Sequence, residues 1–353
     1  MSPPSLTNEA EVLTRVECGV GRITLNRPQA LHSLTTGMCA YMAKALDAWA
    51  GDEGVRLVML DHAPGTRGFC AGGDIREVAR SGRGDGRAAA EFFATEYRLN
   101  VLIKRFPKAF VAVMDGVTMG GGVGISVHGS HRISTEHTVF AMPETGIGLF
   151  PDVGGGWFLP RLRGRLGTWL ALTGARLKGL DVLAAGIATH FVASADLPEL
   201  KQALLDGGDI DSVLAPHRRP APQPSWLDHT EVMDRCFARD HVSDIAIALK
   251  MADDDWATRQ AEILKTRSPL SLCVSLRQLR LGAAMASFED VMRMEYRIAC
   301  HITRGHDFSE GVRAVIEDKD NRPAWSPSWL GGVTPDMIER MFAADPALRL
   351  NLD

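Results

Sequence analysis

Two carboxylates stand eight residues apart in a stretch otherwise made mostly of apolar residues and glycine: Phe140-Ala-Met-Pro-Glu144-Thr-Gly-Ile-Gly-Leu-Phe-Pro-Asp152-Val-Gly-Gly-Gly156. Apolar surroundings disfavour the charged form of an acid, and two neighbouring acids push their pKa values apart. Such a pair can work as nucleophile and acid, or as base and acid, near neutral pH. Asp152 gives the weaker local signal, because it could equally cap a helix beginning near Gly154–Trp157. Two glycine-rich stretches precede expected helices: Phe69-Cys-Ala-Gly-Gly-Asp-Ile75 and Met119-Gly-Gly-Gly-Val-Gly-Ile125. Glycines before a helix expose bare N–H groups that can bind a phosphate or an oxyanion. Neither stretch continues into Gly-Lys-Ser/Thr, and neither fits the Gly-x-Gly-x-x-Gly dinucleotide register. Tight helix–sheet packing would favour glycine equally, so the loops alone leave these options open.

These residues must be held by a scaffold. Val20–Leu25, Val55–Leu60 and Phe110–Met114 read as strands, with shorter ones at Arg132–Ser134 and Val139–Ala141. Thr35 or Thr36 can cap a helix carrying Met38, Met42, Ala45 and Trp49 on one face. Strands alternating with long helices make an α/β protein with buried sheets. Over 88–106, Phe92, Leu99, Ile103 and Phe106 form a helical stripe on which Glu96 falls. Periodicity alone favours a Glu96 that snorkels to water from the margin, over one that lines a pocket. Four prolines within 216–224 mark a linker or stiff surface loop. The expected organisation is a core domain over 12–215, this linker, and a mainly helical region over 225–353.

The chain has 353 residues, 45% hydrophobic, with a formal net charge of −4. A general nucleic-acid binder would carry a dense basic surface. No run approaches the roughly 20 apolar residues that span a membrane. Neither nucleic acid nor membrane is therefore expected as a partner. The six cysteines lie far apart without Cys-x-x-Cys spacing and read as buried thiols of a reducing compartment. Cys70 lies beside a glycine loop but has no His or acid close in sequence. His128, His131 and His137 lack the acid that would complete a metal-ligand pattern, so no metal is expected. The first residues carry neither an apolar signal nor arginine, which leads to a cytoplasmic location and a mobile beginning of about ten residues.

At the carboxylates and glycine loops the sequence resembles the crotonase (enoyl-CoA hydratase/isomerase) superfamily. The likeness runs from Arg22-Ile-Thr-Leu-Asn-Arg-Pro28 through Phe69–Asp74, the Gly120–Gly122 triplet and Met142-Pro-Glu144. Residues 140–156, 172–179 and 185–191 resemble most the 3-hydroxyisobutyryl-CoA hydrolases of that superfamily. Met294-Glu-Tyr-Arg297, Arg304–Arg313, Asp318-Lys-Asp320 and Pro323–Pro327 extend it, so that it covers roughly 12 to 343.

The resemblance implies a spiral of repeated ββα units followed by a helical C-terminal region, and for many relatives a trimer-based assembly. It implies an acyl-CoA substrate with no separate cofactor, since CoA belongs to the substrate. The implied reaction is hydrolysis of a short branched 3-hydroxyacyl-CoA, in valine catabolism. It gives Gly73 and Gly121 the oxyanion hole, Glu144 the principal catalytic role and Asp152 the second acid. Glu96 becomes a substrate contact, and Ala71, Asp74 and Ile75 fall at the adenine site. Hydratases of the superfamily place another catalytic Glu where this chain has Gly124, and commonly glycine where it has Asp152. The alternatives are a lyase hydrating enoyl-CoA and a non-catalytic acyl-CoA-binding protein. His32 departs from the Asn often found there, and the sequence gives no reason for it.

Overall fold

A computed structural model describes residues 10–217 and 223–352. The expected mobile beginning and the middle of the proline block lie outside those residues. Among the described residues ten strands form two sheets. The larger has the order β1 (Val12–Glu17), β2 (Val20–Leu25), β3 (Leu57–His62), β5 (Ala109–Met114), β7 (His131–Ser134) and β10 (His190–Phe191). Its first pair is antiparallel and the rest are parallel. The smaller sheet is β4 (Gly68–Cys70), β6 (Val117–Met119), β8 (Val139–Ala141) and β9 (Leu177–Lys178). Strands β3, β5 and β7 enter the larger sheet, and each is followed by a strand of the smaller one. Helices then return the chain, which makes the repeated ββα spiral.

The central strands are buried on both faces, as parallel sheets are. Val58, Leu60, Phe110 and Ala112 join the main core, while Leu57, Met59, Val111 and Val113 face a second cluster with Leu197, Leu200 and Leu204. This alternation is the two-residue period of a strand read onto two covers. The main core runs from Val12 to Leu352 and takes in the helices Pro269–Ala284 and Phe288–Ile302. Helix α1 (Thr36–Ala50) is capped by Thr35, whose Oγ1 accepts from the Met38 N–H at 3.2 Å. Helix α2 is Ile75–Gly82, and α3 (Arg87–Arg105) spans nearly the stretch that the periodicity marked. Among the described residues no helix is long and apolar enough to cross a membrane.

Candidate active site

Strands β4, β6 and β8 lie side by side and parallel. Their carboxyl ends therefore open onto one place, and each delivers a residue that the sequence singled out. The loop after β4 carries Gly73, the loop after β6 carries Gly121 at the start of α4 (Gly121–Val127), and Glu144 follows β8. A cavity of about 720 Å³ lies there, within the range of small-molecule sites. Ala71, Gly73, Ile75, Glu96, Gly121, Glu144 and Asp152 all line it.

The approach is close enough to demand glycine. A Cβ on Gly121 would lie 2.3 Å from Glu96 Oε1 and 3.2 Å from the Gly73 nitrogen. One on Gly120, whose φ is +47°, would lie 3.2 Å from Glu144 Oε1. Among the described residues, neither the Gly73 nor the Gly121 N–H donates to a protein acceptor. The 31–34 segment fixes the first loop. Ala71 N–H donates to Leu31 O, Leu34 N–H to Gly72 O, and Asp74 N–H to Leu34 O.

His32 belongs to that clamp. It is fully buried with φ +56°, a region that Asn and His tolerate better than most residues. Its Nδ1 accepts from the Arg27 N–H at 3.0 Å, and its Nε2 meets Thr66 Oγ1 at 3.1 Å. Burial, with His62 nearby, lowers its pKa to about 4, so it stays neutral. Cys70 donates to His32 O at 3.1 Å, and burial pushes its thiol up to about 12, which removes it from the chemistry.

Three acids line the cavity, and a fourth holds the backbone just beyond Asp152. Glu96, Glu144 and Asp152 are at most 4% exposed, and Glu295 is fully buried. Burial, followed by Asp152 and Glu144, raises the Glu96 pKa well above the carboxylate range. Burial and then Asp152 raise that of Glu144 in the same way. Burial raises Asp152 to about 6 against the hydrogen bond from Tyr97, whose OH donates to Oδ2 at 2.7 Å. Burial raises Glu295 to about 8, opposed by the N–H groups of Gly154 and Gly156. One oxygen each of Glu96 and Glu144 has no hydrogen-bond partner, nor does either side-chain atom of Asn100. The Glu96 and Glu144 oxygens belong to cavity-lining residues and are free for an incoming polar group.

Two readings made from the residues alone change. Glu96 does not snorkel to water: α3 turns it into the cavity. Asp152 caps no helix, since Gly154 precedes the helix Gly155–Phe158 and the Asp152 carboxylate faces Tyr97. Asp74, which the resemblance puts at the adenine site, is not among the residues lining this cavity, and Arg27 pairs with its carboxylate at 2.9 Å. Sequence reading missed Tyr97, although its place next to Glu96 on α3 was available as a signal. It also missed Glu295 and Gln278, which no local pattern marks. The histidines stay apart: His128 is buried against Val153 O at 2.8 Å, and His137 meets Asp115. Among the described residues no group of three or more His, Cys, Asp or Glu could hold a metal ion.

The unpaired acids make a stability prediction. Below the carboxylate range both folded and unfolded chains keep Glu96 protonated. As pH rises the unfolded chain ionises first, so the folded state loses relative stability up to the raised folded pKa. We expect Glu96→Gln to raise Tm by about 2–4 °C at pH 8, and by less at pH 5. Differential scanning fluorimetry at the two pH values checks this; an equal gain at both would contradict it.

The family model described as enoyl-CoA hydratase/isomerase matches residues 20–342. The mitochondrial 3-hydroxyisobutyryl-CoA hydrolase of Danio rerio is 46% identical, covering 95% of this chain and 90% of that protein. Its Homo sapiens namesake is 44% identical, covering 94% and 88%. A solved carnitinyl-CoA dehydratase from Mycobacterium thermoresistibile superposes with TM-score 0.93 at 44% identity, covering 98% of this chain and 99% of that one. An enoyl-CoA hydratase from Rhodobacter sphaeroides 2.4.1 gives 0.90 at 40%, covering 97% and 100%. The hydrolase relatives are named as mitochondrial, which overturns the cytoplasmic expectation. That expectation rests on the first residues alone, which carry neither an apolar signal nor arginine.

Proposed function

Given that this chain belongs to the enoyl-CoA hydratase/isomerase family, we propose that it hydrolyses 3-hydroxyisobutyryl-CoA to 3-hydroxyisobutyrate and CoA. The observation that carries this is the pairing of acids Glu144 and Asp152 beside two free N–H groups, with no acid at 124. The thioester oxygen binds between the Gly73 and Gly121 N–H groups, which stabilise the charge that develops on it. Glu144 attacks the carbonyl carbon, the C–S bond breaks, and CoA leaves as thiolate and takes up a proton. Water then opens the resulting anhydride, restoring Glu144 and releasing the acid. Asp152 and Glu96 receive the acyl hydroxyl and the attacking water. Arg176 and Arg267 are the cations of the lining and meet the phosphates of CoA. The reaction calls for no cofactor, and its product suits a place in valine degradation.

The solved relatives named as dehydratase and hydratase favour a second reading, a lyase. Local packing at 124 speaks against it. A Cβ there would lie 2.6 Å from Val153 Cβ and 2.9 Å from Asn100 Nδ2. Val153 and Asn100 thus occupy the room that another acid would need. We expect Gly124→Glu to destabilise the protein by about 1–3 kcal/mol through overpacking. It should bring no crotonyl-CoA hydration, as followed by loss of the enoyl absorbance. A panel of acyl-CoA thioesters with free thiol as readout tests the main reading. Release from 3-hydroxyisobutyryl-CoA without turnover of crotonyl-CoA supports it; the reverse pattern overturns it.

A further inference from the structure

Asp152 sits on a backbone that does not hold itself. The next residue, Val153, is β-branched with φ +50°, and Gly154 follows at +88°. A β-branched residue in the left-handed region persists only when its surroundings over-determine it. Three elements supply the restraint. Glu295, on the helix Phe288–Ile302, accepts the Gly154 N–H on Oε2 at 2.7 Å and the Gly156 N–H on Oε1 at 2.8 Å. Gln278, on the helix Pro269–Ala284, donates from Nε2 to Pro151 O at 2.8 Å and to Glu295 Oε1 at 2.9 Å. His128 Nε2 meets Val153 O at 2.8 Å. Glu295 and Gln278 are both fully buried.

We propose that Glu295, braced by Gln278, is a positioning residue that holds the 151–156 turn so that Asp152 enters the site at the angle its role requires. The choice of side chain follows from the donors. Three N–H groups converge on it, and only a carboxylate accepts on both oxygens without carrying a donor of its own. A glutamine there would turn an N–H toward an N–H and release one end of the turn. Glu295 does not itself line the cavity, so its effect passes through Asp152. This rests on Asp152 acting in the reaction, as proposed above.

The test compares Glu295→Gln, Asp152→Asn and the double variant in the full chain, by thiol release from 3-hydroxyisobutyryl-CoA. Glu295→Gln should lower kcat about 10²-fold, the size of loss that a misplaced group causes, with KM little changed. In the Asp152→Asn background it should cost nothing further, because the two act as one unit. A wild-type kcat in Glu295→Gln, or a full additional loss in the double variant, overturns the proposal. A wild-type kcat in Asp152→Asn overturns instead the reading on which it rests. If Glu295→Gln does not fold, Gln278→Leu keeps the Gly154 and Gly156 N–H bonds to Glu295 and removes the donor to Pro151 O and to Glu295 Oε1. It should lower kcat without raising KM, and an unchanged kcat overturns the proposal.

Discussion

Glu144→Gln should slow thiol release from 3-hydroxyisobutyryl-CoA by about 10²–10⁴-fold, with the fold intact. The substitution keeps the shape of the side chain and removes the negative charge that makes its oxygen a nucleophile. Glu144 is 4% exposed, and its Oε2 has no protein partner, so no ion pair or bonded network is lost with the charge. A buried acid with a raised pKa weakens the folded state at neutral pH, and its neutral replacement removes that cost. Tm at pH 7 should therefore hold or rise while kcat falls. Loss of activity with loss of fold would show Glu144 holding the structure together instead.

Asp152→Asn carries the other large effect, on rate and on pH dependence together. Burial raises the pKa of Glu144, and the charge of Asp152 raises it further. Glu144 must be ionised to attack, so kcat/KM in the wild-type enzyme rises with pH through a range above that of an ordinary carboxylate. Removing the Asp152 charge lowers the Glu144 pKa, and the acid limb should move to lower pH. The plateau should fall about 10²-fold, because the second acid no longer orients water or the acyl hydroxyl. Asn can still accept from Tyr97, so the contact to α3 survives and the fold should too. A pH–rate profile of kcat/KM for both enzymes checks each part. An acid limb that stays in place would mean that the two acids do not interact.

Legibility followed the range of the interactions. The strand pattern stood out where strands are long and doubly buried, as in β3 and β5. It did not show β9 and β10, two residues each, which exist only because longer strands lie beside them. Glu144 was visible because its apolar and glycine neighbours are consecutive in the chain. Glu96 lay correctly on its stripe, but helical period alone does not distinguish a core from a cavity wall. Asp152 was readable as an acid and misreadable as a cap. What decides is Tyr97, 55 residues away. Glu295 is 141 residues from the Gly154 N–H it accepts, and its motif gave a family likeness without a local reason. His32 had no account until its left-handed backbone and its bond from Arg27 were placed.

Water carries the most direct test of a hydrolytic site built on Glu144 and Asp152. The wild-type chain would be supplied with 3-hydroxyisobutyryl-CoA in oxygen-18 water over many turnovers, and the products read by mass spectrometry. We expect free CoA and a 3-hydroxyisobutyrate that carries the label in its carboxylate, with an unlabelled hydroxyl. Label in the 3-hydroxyl of an intact thioester would show water lost and regained at the β-carbon, and would contradict the account.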